Sequence, residues 1–551
     1  MCSYRKRMNE IVRSVAVKAW NQPLLTSGLW FHGDIRDNYY YASYLFAAAV
    51  STAEAPLFDR LEAKRLAEEV LCRVLQWQET SSDSPMYGHW PLNLHPVPEE
   101  AAPHELPVEL MGSLMVYFYH NYAEHMSSEL AESFETALRN VYESNFYRKP
   151  LVHYGHHEAK FTAAKLIFGQ RYNDQALVED GRNCLQRTFE LIKQEGMAEY
   201  GSLPWFWHWV QAFTCAFELM EDKGIKAELA EMLDHLWGVR ASLYLKGAWV
   251  GAHSRGWPHD APKDANVLHD YVQFGNFTLP EEMPRTEYAG LLFREAPESA
   301  LRIALDRKQP SEVCSSIIKM VEGERRVLHS YAYITDQFAA GGLWERVKEF
   351  DNEQLRWLFS LPVRHSGLGN QLYFFHPGEG FDESGCDPRH QSEWTEVLYH
   401  RNVVMALYPL PETVRDEVIG VIPEGEWLQE PEALYGKVED TYFAVYLNGP
   451  YEIRKQDGYS LVVCRGRRSG VVVEAVGAAA ANEIGIFELG KFASKMSRMK
   501  PRFMLDREFQ VDYTGMLSGE ELSLRIKKDS APETVIGGQA VCYDHYSSQV
   551  L

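Results

Sequence analysis

The hydrophobic period changes once along the chain, and this change constrains the fold more than any other feature. Up to about residue 310 apolar residues recur at helical spacing, as in the stripe over 60–79. The same spacing predicts further helices over 106–124, 127–144, 157–169, 175–194, 204–222 and 225–238. After about residue 325, short β-branched and aromatic runs broken by Asn-Gly and Asp-Gly turns predict antiparallel strands. The sequence therefore predicts an α+β multidomain fold, with a helical domain over 1–312 and an antiparallel β domain over 313–551.

The charge of the chain excludes several classes of partner. Lys and Arg number 55 against 77 Asp and Glu, a formal net charge of −22. So acidic a chain lacks the basic footprint needed to wrap nucleic acid or to bind an anionic membrane surface. The sequence has neither a signal-peptide pattern nor a long apolar run, which predicts a soluble, cytoplasmic protein. The sequence leaves the oligomeric state open, with a homo-oligomer among the alternatives.

The cysteines and the aromatic residues point to the type of ligand. The 8 cysteines are scattered without a CxxC pair, so we expect no disulfide framework and no metal or other cofactor. Aromatic residues make up 13% of the chain, and several Trp and Tyr lie beside Gly, Pro, His and Ser. This composition suits a cleft in which flat sugar rings stack on aromatic side chains.

The segment 153–158, with the sequence HYGHHE, opens the helix predicted over 157–169. Its three imidazoles at a helix start predict a site that handles protons, where the helix N-terminus also favours anions. A surface cluster that only caps the helix is the alternative interpretation. A metal site is less favoured because His156 and His157 are adjacent and no HExxH spacing occurs.

Three further segments carry polar and aromatic candidates. The segment 195–209 holds a carboxylate, a phenol and three tryptophans, and its alternative is a buried aromatic seam. The segment 251–260, which is followed by 269–271, contains an Arg whose planar guanidinium can bind a carboxylate. The alternative interpretation of this segment is an ordinary loop held by salt bridges. The segment 30–41 either lines the rim of the cleft or caps the first helix.

The order of these segments resembles the heparinase II/III-type and alginate-lyase-type polysaccharide lyases. In that family an Asn-His pair opens a helix, and an acidic-Gly segment with a Tyr precedes a later helix. Here 155–159 (GHHEA) resembles the first motif and 195–213 (EGMAEYGSLPWFWHWVQAF) resembles the second, although His156 stands for the Asn and Trp205 for the Tyr. The resemblance implies an incomplete (α/α) toroid followed by an antiparallel β-sandwich.

The same resemblance implies β-elimination at a uronic acid within an acidic oligosaccharide or polysaccharide. His156 and Arg255 would then neutralise the substrate carboxylate. His157 and Tyr200 would transfer protons, and His253 is a further candidate for proton transfer. His157→Ala and Tyr200→Phe are expected to abolish the unsaturated, ultraviolet-absorbing product. The substrate-binding candidates are Trp205, His208, Glu199, Trp257, Asp260, Tyr271 and Tyr39.

Two other functions stay open. A glycoside hydrolase on the same toroid would use a carboxylate pair, Glu199 with either Asp260 or Asp37. A non-catalytic carbohydrate-binding protein would need only the aromatic residues. The negative charge of the chain favours a short imported oligosaccharide over a long polyanion, which it would repel.

Overall fold

A computed structural model of the chain describes residues 3–52, 58–201, 203–254, 260–347, 355–364, 367–378, 394–506, 508–527 and 531–548. Within these ranges the helices precede most of the strands, so the α+β class predicted from the sequence is confirmed. The helices are α1 (Ser3–Asn21), α2 (Ile35–Val50), α3 (Arg60–Gln76), α4 (Glu105–Tyr122), α5 (Ser128–Glu143), α6 (His156–Arg171), α7 (Gln175–Glu195), α8 (Leu203–Leu219), α9 (Lys223–Ser242), α10 (Leu268–Gln273), α11 (Glu298–Leu305), α12 (Ala478–Glu483) and α13 (Leu489–Met496).

The helices predicted from the hydrophobic spacing are all present, and no end is shifted by more than four residues. Side-chain caps fix several of their starts, since Asp59, Ser127, Asp174 and Asp222 each accept a hydrogen bond from a backbone N–H of the first turn. No helix among the described residues is long and apolar enough to cross a lipid bilayer.

The even-numbered helices α2, α4, α6 and α8 are buried over most of their length. The odd-numbered helices α3, α5 and α7 instead bury one stripe and expose the other face. Helix α4 contacts α2, α6 and α8, and each of the helices α3, α5 and α7 packs against the even-numbered helix that precedes it. Alternate helices therefore lie inside, and their N-terminal turns come close to one another.

In the described part of the chain, the strands after residue 310 form three antiparallel sheets, and short two-stranded pairs lie among the helices. The strands are β1 (Trp90–Pro91), β2 (Pro103–His104), β3 (Tyr244–Leu245), β4 (Ala248–Trp249), β5 (Ser311–Val321), β6 (Glu324–Ile334), β7 (Ala339–Leu343), β8 (Trp357–Ser360), β9 (Gln371–Phe375), β10 (Glu396–His400), β11 (Val403–Pro409), β12 (Glu417–Pro423), β13 (Glu426–Glu430), β14 (Ala433–Val438), β15 (Thr441–Leu447), β16 (Tyr451–Lys455), β17 (Tyr459–Arg465), β18 (Arg468–Gly477), β19 (Arg502–Met504), β20 (Gln510–Thr514), β21 (Glu521–Arg525), β22 (Glu533–Ile536) and β23 (Gln539–Ala540).

The sheets are layered against one another and against the helices. The eight-stranded sheet has the order β16-β17-β12-β9-β8-β7-β6-β5, and the six-stranded sheet has the order β10-β11-β18-β15-β14-β13. Side chains from both sheets share one apolar core, which also takes in the inner face of the five-stranded sheet β19–β23. On the helical side, Ala332, Ile334 and Ala339 of β6 and β7 join the apolar core of the helices.

The first long strand, β5, begins at Ser311, next to the boundary predicted at 312. Its sequence, SEVCSSIIKMV, mixes polar and apolar residues without regular alternation and is only partly buried, which explains why strand character is evident in the sequence only from about residue 325. The division of the chain into two domains stays a prediction.

Candidate functional site

The N-terminal turns of the inner helices bring a dense set of ionisable and aromatic side chains together. Ring contacts, ion pairs and electrostatic interactions connect its members. We call this set the helix-end cluster, and it consists of Arg36 and Asp37 of α2, Glu109 of α4, His156, His157 and Lys160 of α6, Glu199, Trp205 and His208 of α8 and its entry loop, and Glu287.

The start of α6 is fixed by two carboxylates. Glu158 accepts hydrogen bonds from the backbone N–H groups of the three residues 152–154, which tightens the loop before the helix. Glu199 accepts from the backbone N–H of His156 at 2.7 Å, so it satisfies one of the free donors of the helix N-terminus. A Cβ atom at Gly155 would lie 3.3 Å from Glu199 Oε1, tighter than most such contacts, so the glycine gives this carboxylate room.

His156 is a neutral imidazole held by a carboxylate. Its Nδ1 lies 2.5 Å from Glu199 Oε1, and its ring stacks on Trp205 with 4.6 Å between centroids. Burial lowers the pKa of His156 to about 4, although Glu199 opposes this shift. Burial favours a protonated Glu199, but the hydrogen bonds from His156 prevail and lower the pKa of Glu199 to about 2. The neutral ring therefore donates through Nδ1, which leaves Nε2 as a proton acceptor.

His157 repeats this arrangement in a more open position. Its Nδ1 lies 2.7 Å from Oε2 of Glu109, and 41% of its side chain is exposed. Lys160 Nζ lies 2.7 Å from the same Glu109 oxygen and is almost fully buried. Burial favours a protonated Glu109, but Lys160 and His157 prevail and lower its pKa to about 2. An ionised carboxylate therefore orients the His157 ring and can stabilise an imidazolium.

Three further members of the cluster are Arg36, Glu287 and His208. Arg36 forms a bidentate pair with Asp34, whose side chain also caps α2. Glu287 is paired with Arg285 at 2.9 Å, and its Oε2 lies 3.7 Å from His208 Nε2, beyond hydrogen-bond distance. Burial and Lys160 lower the pKa of His208 to about 3, so this imidazole is also neutral.

Asp37 is the one member whose carboxyl group is held protonated near neutral pH. Burial and the nearby Asp34 raise the pKa of Asp37 to about 7, from an ordinary value of 3.8. Between these two values the folded chain holds a proton that the unfolded chain has lost. Its stability must therefore fall as the pH rises through this range.

We expect Asp37→Asn to be more stable than the wild-type protein, because Asn needs no proton to stay neutral. The gain in thermal midpoint should grow from about pH 4 to about pH 7 and then level off, at a free-energy gain of at least about 1 kcal/mol. Thermal unfolding of both proteins across this range measures it. Asp83→Asn, in an exposed turn, is the matched control; an Asp37→Asn gain that does not change with pH would contradict the assignment.

The structure brings together five of the site residues predicted for a lyase, which are His156, His157, Glu199, Trp205 and His208. Asp37, predicted as a carboxylate of the alternative hydrolase, lies in the same cluster. Arg255 and Trp257 lie outside the described residues. The loop that leads to them starts beside residue 200, since the backbone N–H of Ser254 donates to the carbonyl oxygen of Tyr200 at 3.1 Å.

Tyr200 follows Glu199 directly, but its ring packs against the sheet. It is buried in a small apolar cluster with Ala252, Ile317 and Leu328, and Lys319 Nζ lies 5.3 Å from the ring centre. Its predicted role in proton transfer stays a prediction.

The other predicted residues lie in packing or hydrogen-bond networks away from the two imidazoles of α6. Tyr39 is fully buried and accepts a hydrogen bond from the Tyr288 hydroxyl at 2.7 Å. Tyr271 donates to Glu10 of α1. His253 bridges to Leu355 in the sheet region. Asp260 accepts from Asn266 at 3.0 Å.

Sequence reasoning missed Arg36, Lys160, Glu109 and Glu287. Lys160 lies four residues after His156 on a predicted helix, so the helical spacing alone places it on the same face. Glu109 was also detectable, because it is a charged residue within the otherwise apolar run of α4. Arg36 lies in the segment 30–41 that we considered, whereas no sequence signal marks Glu287.

A metal site is not apparent in the part of the chain that the structure describes. There, no group of three or more His, Cys, Asp or Glu side chains is arranged to hold a metal ion. In the helix-end cluster, His156 and His157 are each held by one carboxylate. Such pairs of an imidazole and a carboxylate suit proton transfer and charge stabilisation.

The sequence matches no protein-family model and no curated protein. A solved structure of the Streptomyces coelicolor A3 chondroitin AC lyase in complex with chondroitin sulphate is similar to this chain, with a TM-score of 0.51 and 9% sequence identity. The likeness covers 96% of this chain and 86% of that one. A tyrosine-to-alanine mutant of the same enzyme gives a TM-score of 0.44 and 9% identity, over 97% and 88% of the two chains.

At this identity the likeness to the first structure shows a shared fold. The first of these structures is of a chondroitin AC lyase and not of the heparinase II/III or alginate-lyase type that the sequence motifs resemble. The resemblance is thus supported as far as a fold shared with a polysaccharide lyase, whereas the heparinase II/III or alginate-lyase type is not supported.

Proposed function

We propose that this chain is a polysaccharide or oligosaccharide lyase that cleaves a uronic-acid-containing glycan by β-elimination. One observation carries the proposal: an accessible imidazole, His157, is oriented by ionised Glu109 beside neutral His156 and the cation Lys160. The fold shared with a chondroitin AC lyase supports the same class of reaction.

We also propose that the helical region is an incomplete (α/α) toroid and that the sheets form a β-sandwich. The alternation of buried and amphipathic helices supports the toroid, because an inner ring must be buried on all sides. The core shared by the two larger sheets supports the sandwich. In such a toroid the helix-end cluster lies where the inner helices begin.

The reaction requires stabilisation of negative charge. The C5 proton of a uronic acid is weakly acidic, and its removal places charge on the neighbouring carboxylate. The positive groups near this place are the N-terminal turns of α2 and α6, together with Arg36, which is paired with Asp34, and Lys160, which is paired with Glu109. Arg255 keeps its proposed role as a further partner of the carboxylate. His156 cannot share that role while neutral, so we assign it to positioning through Glu199.

His157 is the proposed base. Its Nε2 takes the C5 proton, the electron pair of the C5–H bond forms the C4–C5 double bond, and the bond from C4 to the glycosidic oxygen breaks. Glu109 stabilises the imidazolium that forms, and the leaving oxygen takes a proton from a general acid.

Two groups are candidates for that general acid. Asp37 is a carboxylic acid with a pKa of about 7, within the helix-end cluster. Tyr200 is the phenol proposed from the sequence, and burial of its ring against the sheet makes it the weaker candidate.

Two variants separate these candidates. We expect Asp37→Asn to lower kcat by about 10²-fold or more, because general acid catalysis contributes that much. Tyr200→Phe removes only a hydroxyl and keeps the ring packing, so we expect it to retain most activity. Initial rates of product formation measure both; a Tyr200→Phe variant that forms no product while Asp37→Asn stays active would assign the acid to Tyr200.

The experiment that tests the function is a screen of acidic polysaccharides and oligosaccharides for the ultraviolet absorbance of an unsaturated uronate. A rise in absorbance with the wild-type protein supports elimination. Cleavage without any rise would contradict it and favour the second function below.

A glycoside hydrolase is the second candidate, and the pKa of Asp37 favours it. Asp37, protonated near neutral pH, and Glu199, ionised, have the two protonation states that hydrolysis requires of its acid and its base. Asp260 is less suited to the pair, since it is buried, its carboxylate accepts a hydrogen bond from Asn266, and its backbone carbonyl oxygen accepts one from Gln371.

A further inference from the structure

The outer face of the five-stranded sheet is a polar surface unconnected with the helix-end cluster. Along β20 and β21 the residues Val511, Tyr513, Leu522 and Leu524 face the apolar core. The alternate residues of these strands face outward, because successive side chains of a strand point to opposite faces. The register places Arg502, Asp512, Ser523 and Val535 in one row across four strands.

Polar side chains on this face are held in a hydrogen-bonded ladder. Gln510 Nε2 donates to Asp512 Oδ1 at 2.7 Å and to Ser523 Oγ at 3.2 Å. The Ser523 hydroxyl donates to the same Asp512 oxygen at 2.7 Å. These groups are fixed in place before any ligand arrives, which lowers the entropic cost of binding.

Cations border the ladder on one side. The segment 491–502 carries five Lys and Arg and no acidic residue, in a chain whose net charge is −22. Among the described residues, Arg498 and Arg502 have no ion-pair partner, whereas Lys500 Nζ lies 3.0 Å from Glu430 Oε2.

Together these residues line a groove of about 680 Å³. Its lining includes Arg498, Lys500 and Arg502 on one side, and Asp512, Thr514, Glu521 and Ser523 on the sheet. A sugar chain offers hydroxyl groups that need both donors and acceptors, and an acidic sugar adds carboxylate or sulphate groups that need cations. The groove supplies both kinds of partner.

We infer that this groove binds a segment of an acidic glycan, separately from the place where the glycan is cleaved. The class of glycan rests on the proposed function. The net negative charge of the chain repels a long acidic substrate, and binding in the groove would offset this repulsion. The groove should therefore strengthen the binding of polymers and not that of short oligosaccharides.

Direct binding of chondroitin sulphate tests this inference without relying on cleavage. The probe is the polymer immobilised on a sensor surface, and the protein is the full chain carrying His157→Ala so that the polymer is not consumed. We expect the double variant Arg498→Ser with Arg502→Ser to bind about tenfold more weakly or worse, because two charge-assisted contacts are lost. Added salt should weaken binding of the parent protein more than that of the double variant.

The matched control is Lys491→Ser with Lys495→Ser, which removes the same charge from exposed positions of α13 outside the groove. This control should bind like the parent. Equal losses in both double variants would mean that only net charge matters and would overturn the inference, as would unchanged binding in the groove variant. Equal binding of a single-stranded oligonucleotide would also overturn it, since the surface would then be a general anion surface.

Discussion

His157→Ala should lose the formation of unsaturated product by about 10²–10⁴-fold, the range expected for removal of a general base. The ring is the accessible one of the two imidazoles that open α6, and Glu109 fixes its orientation at 2.7 Å. The loss should appear in kcat more than in KM, because the proton is transferred in the transition state and not on binding. Initial rates over a range of substrate concentrations separate the two constants.

His153→Ala is the matched control for this variant. His153 lies in the same loop, is exposed, and uses its backbone N–H and not its ring to bind Glu158. It should therefore keep wild-type activity. A His157→Ala protein that is folded and fully active would remove His157 from the mechanism.

Asp270→Ala should destabilise the helical region by about 3–5 kcal/mol, as expected when one partner of a buried ion pair is removed. Arg240 and Asp270 are both fully buried, and Arg240 Nη2 lies 2.6 Å from Asp270 Oδ2. The guanidinium also donates to the carbonyl oxygens of Leu243, Gly247 and Ala248, so it ties α9 to the β3–β4 turn and to α10. Without Asp270 its charge would stay buried and unpaired.

Urea unfolding followed by helical circular dichroism measures this loss. Glu69→Ala is the control, since it breaks the Arg65–Glu69 pair at 2.7 Å, whose side chains are 70% and 53% exposed. Such an exposed pair contributes about 0–1 kcal/mol. Equal effects of Asp270→Ala and Glu69→Ala would show that the buried pair is not a structural tie.

The helices could be predicted from the sequence because their burial pattern repeats at helical spacing and because Asp or Ser residues cap them. The strand β5 could not, since it mixes polar and apolar residues and carries no regular alternation. The domain boundary predicted at 312 rested on the end of the helical pattern and not on this strand.

The site was predictable only where its residues are close in sequence. His156 and His157 were evident as a pair at a helix start, and the resemblance connected Glu199 to them. The partnership of His157 with Glu109 joins residues 48 positions apart, and only the packing of α4 against α6 creates it. The burial of Tyr200 could not be predicted either, because its neighbours Ile317 and Leu328 come from strands more than 100 residues further along the chain.

The central claim is that the helix-end cluster removes a proton and does not activate water. Mass spectrometry of the two products from one purified acidic oligosaccharide tests it most directly. Elimination predicts product masses that add up to the mass of the substrate, with no such products from the His157→Ala protein. Products that together exceed the substrate by one water molecule would contradict the account.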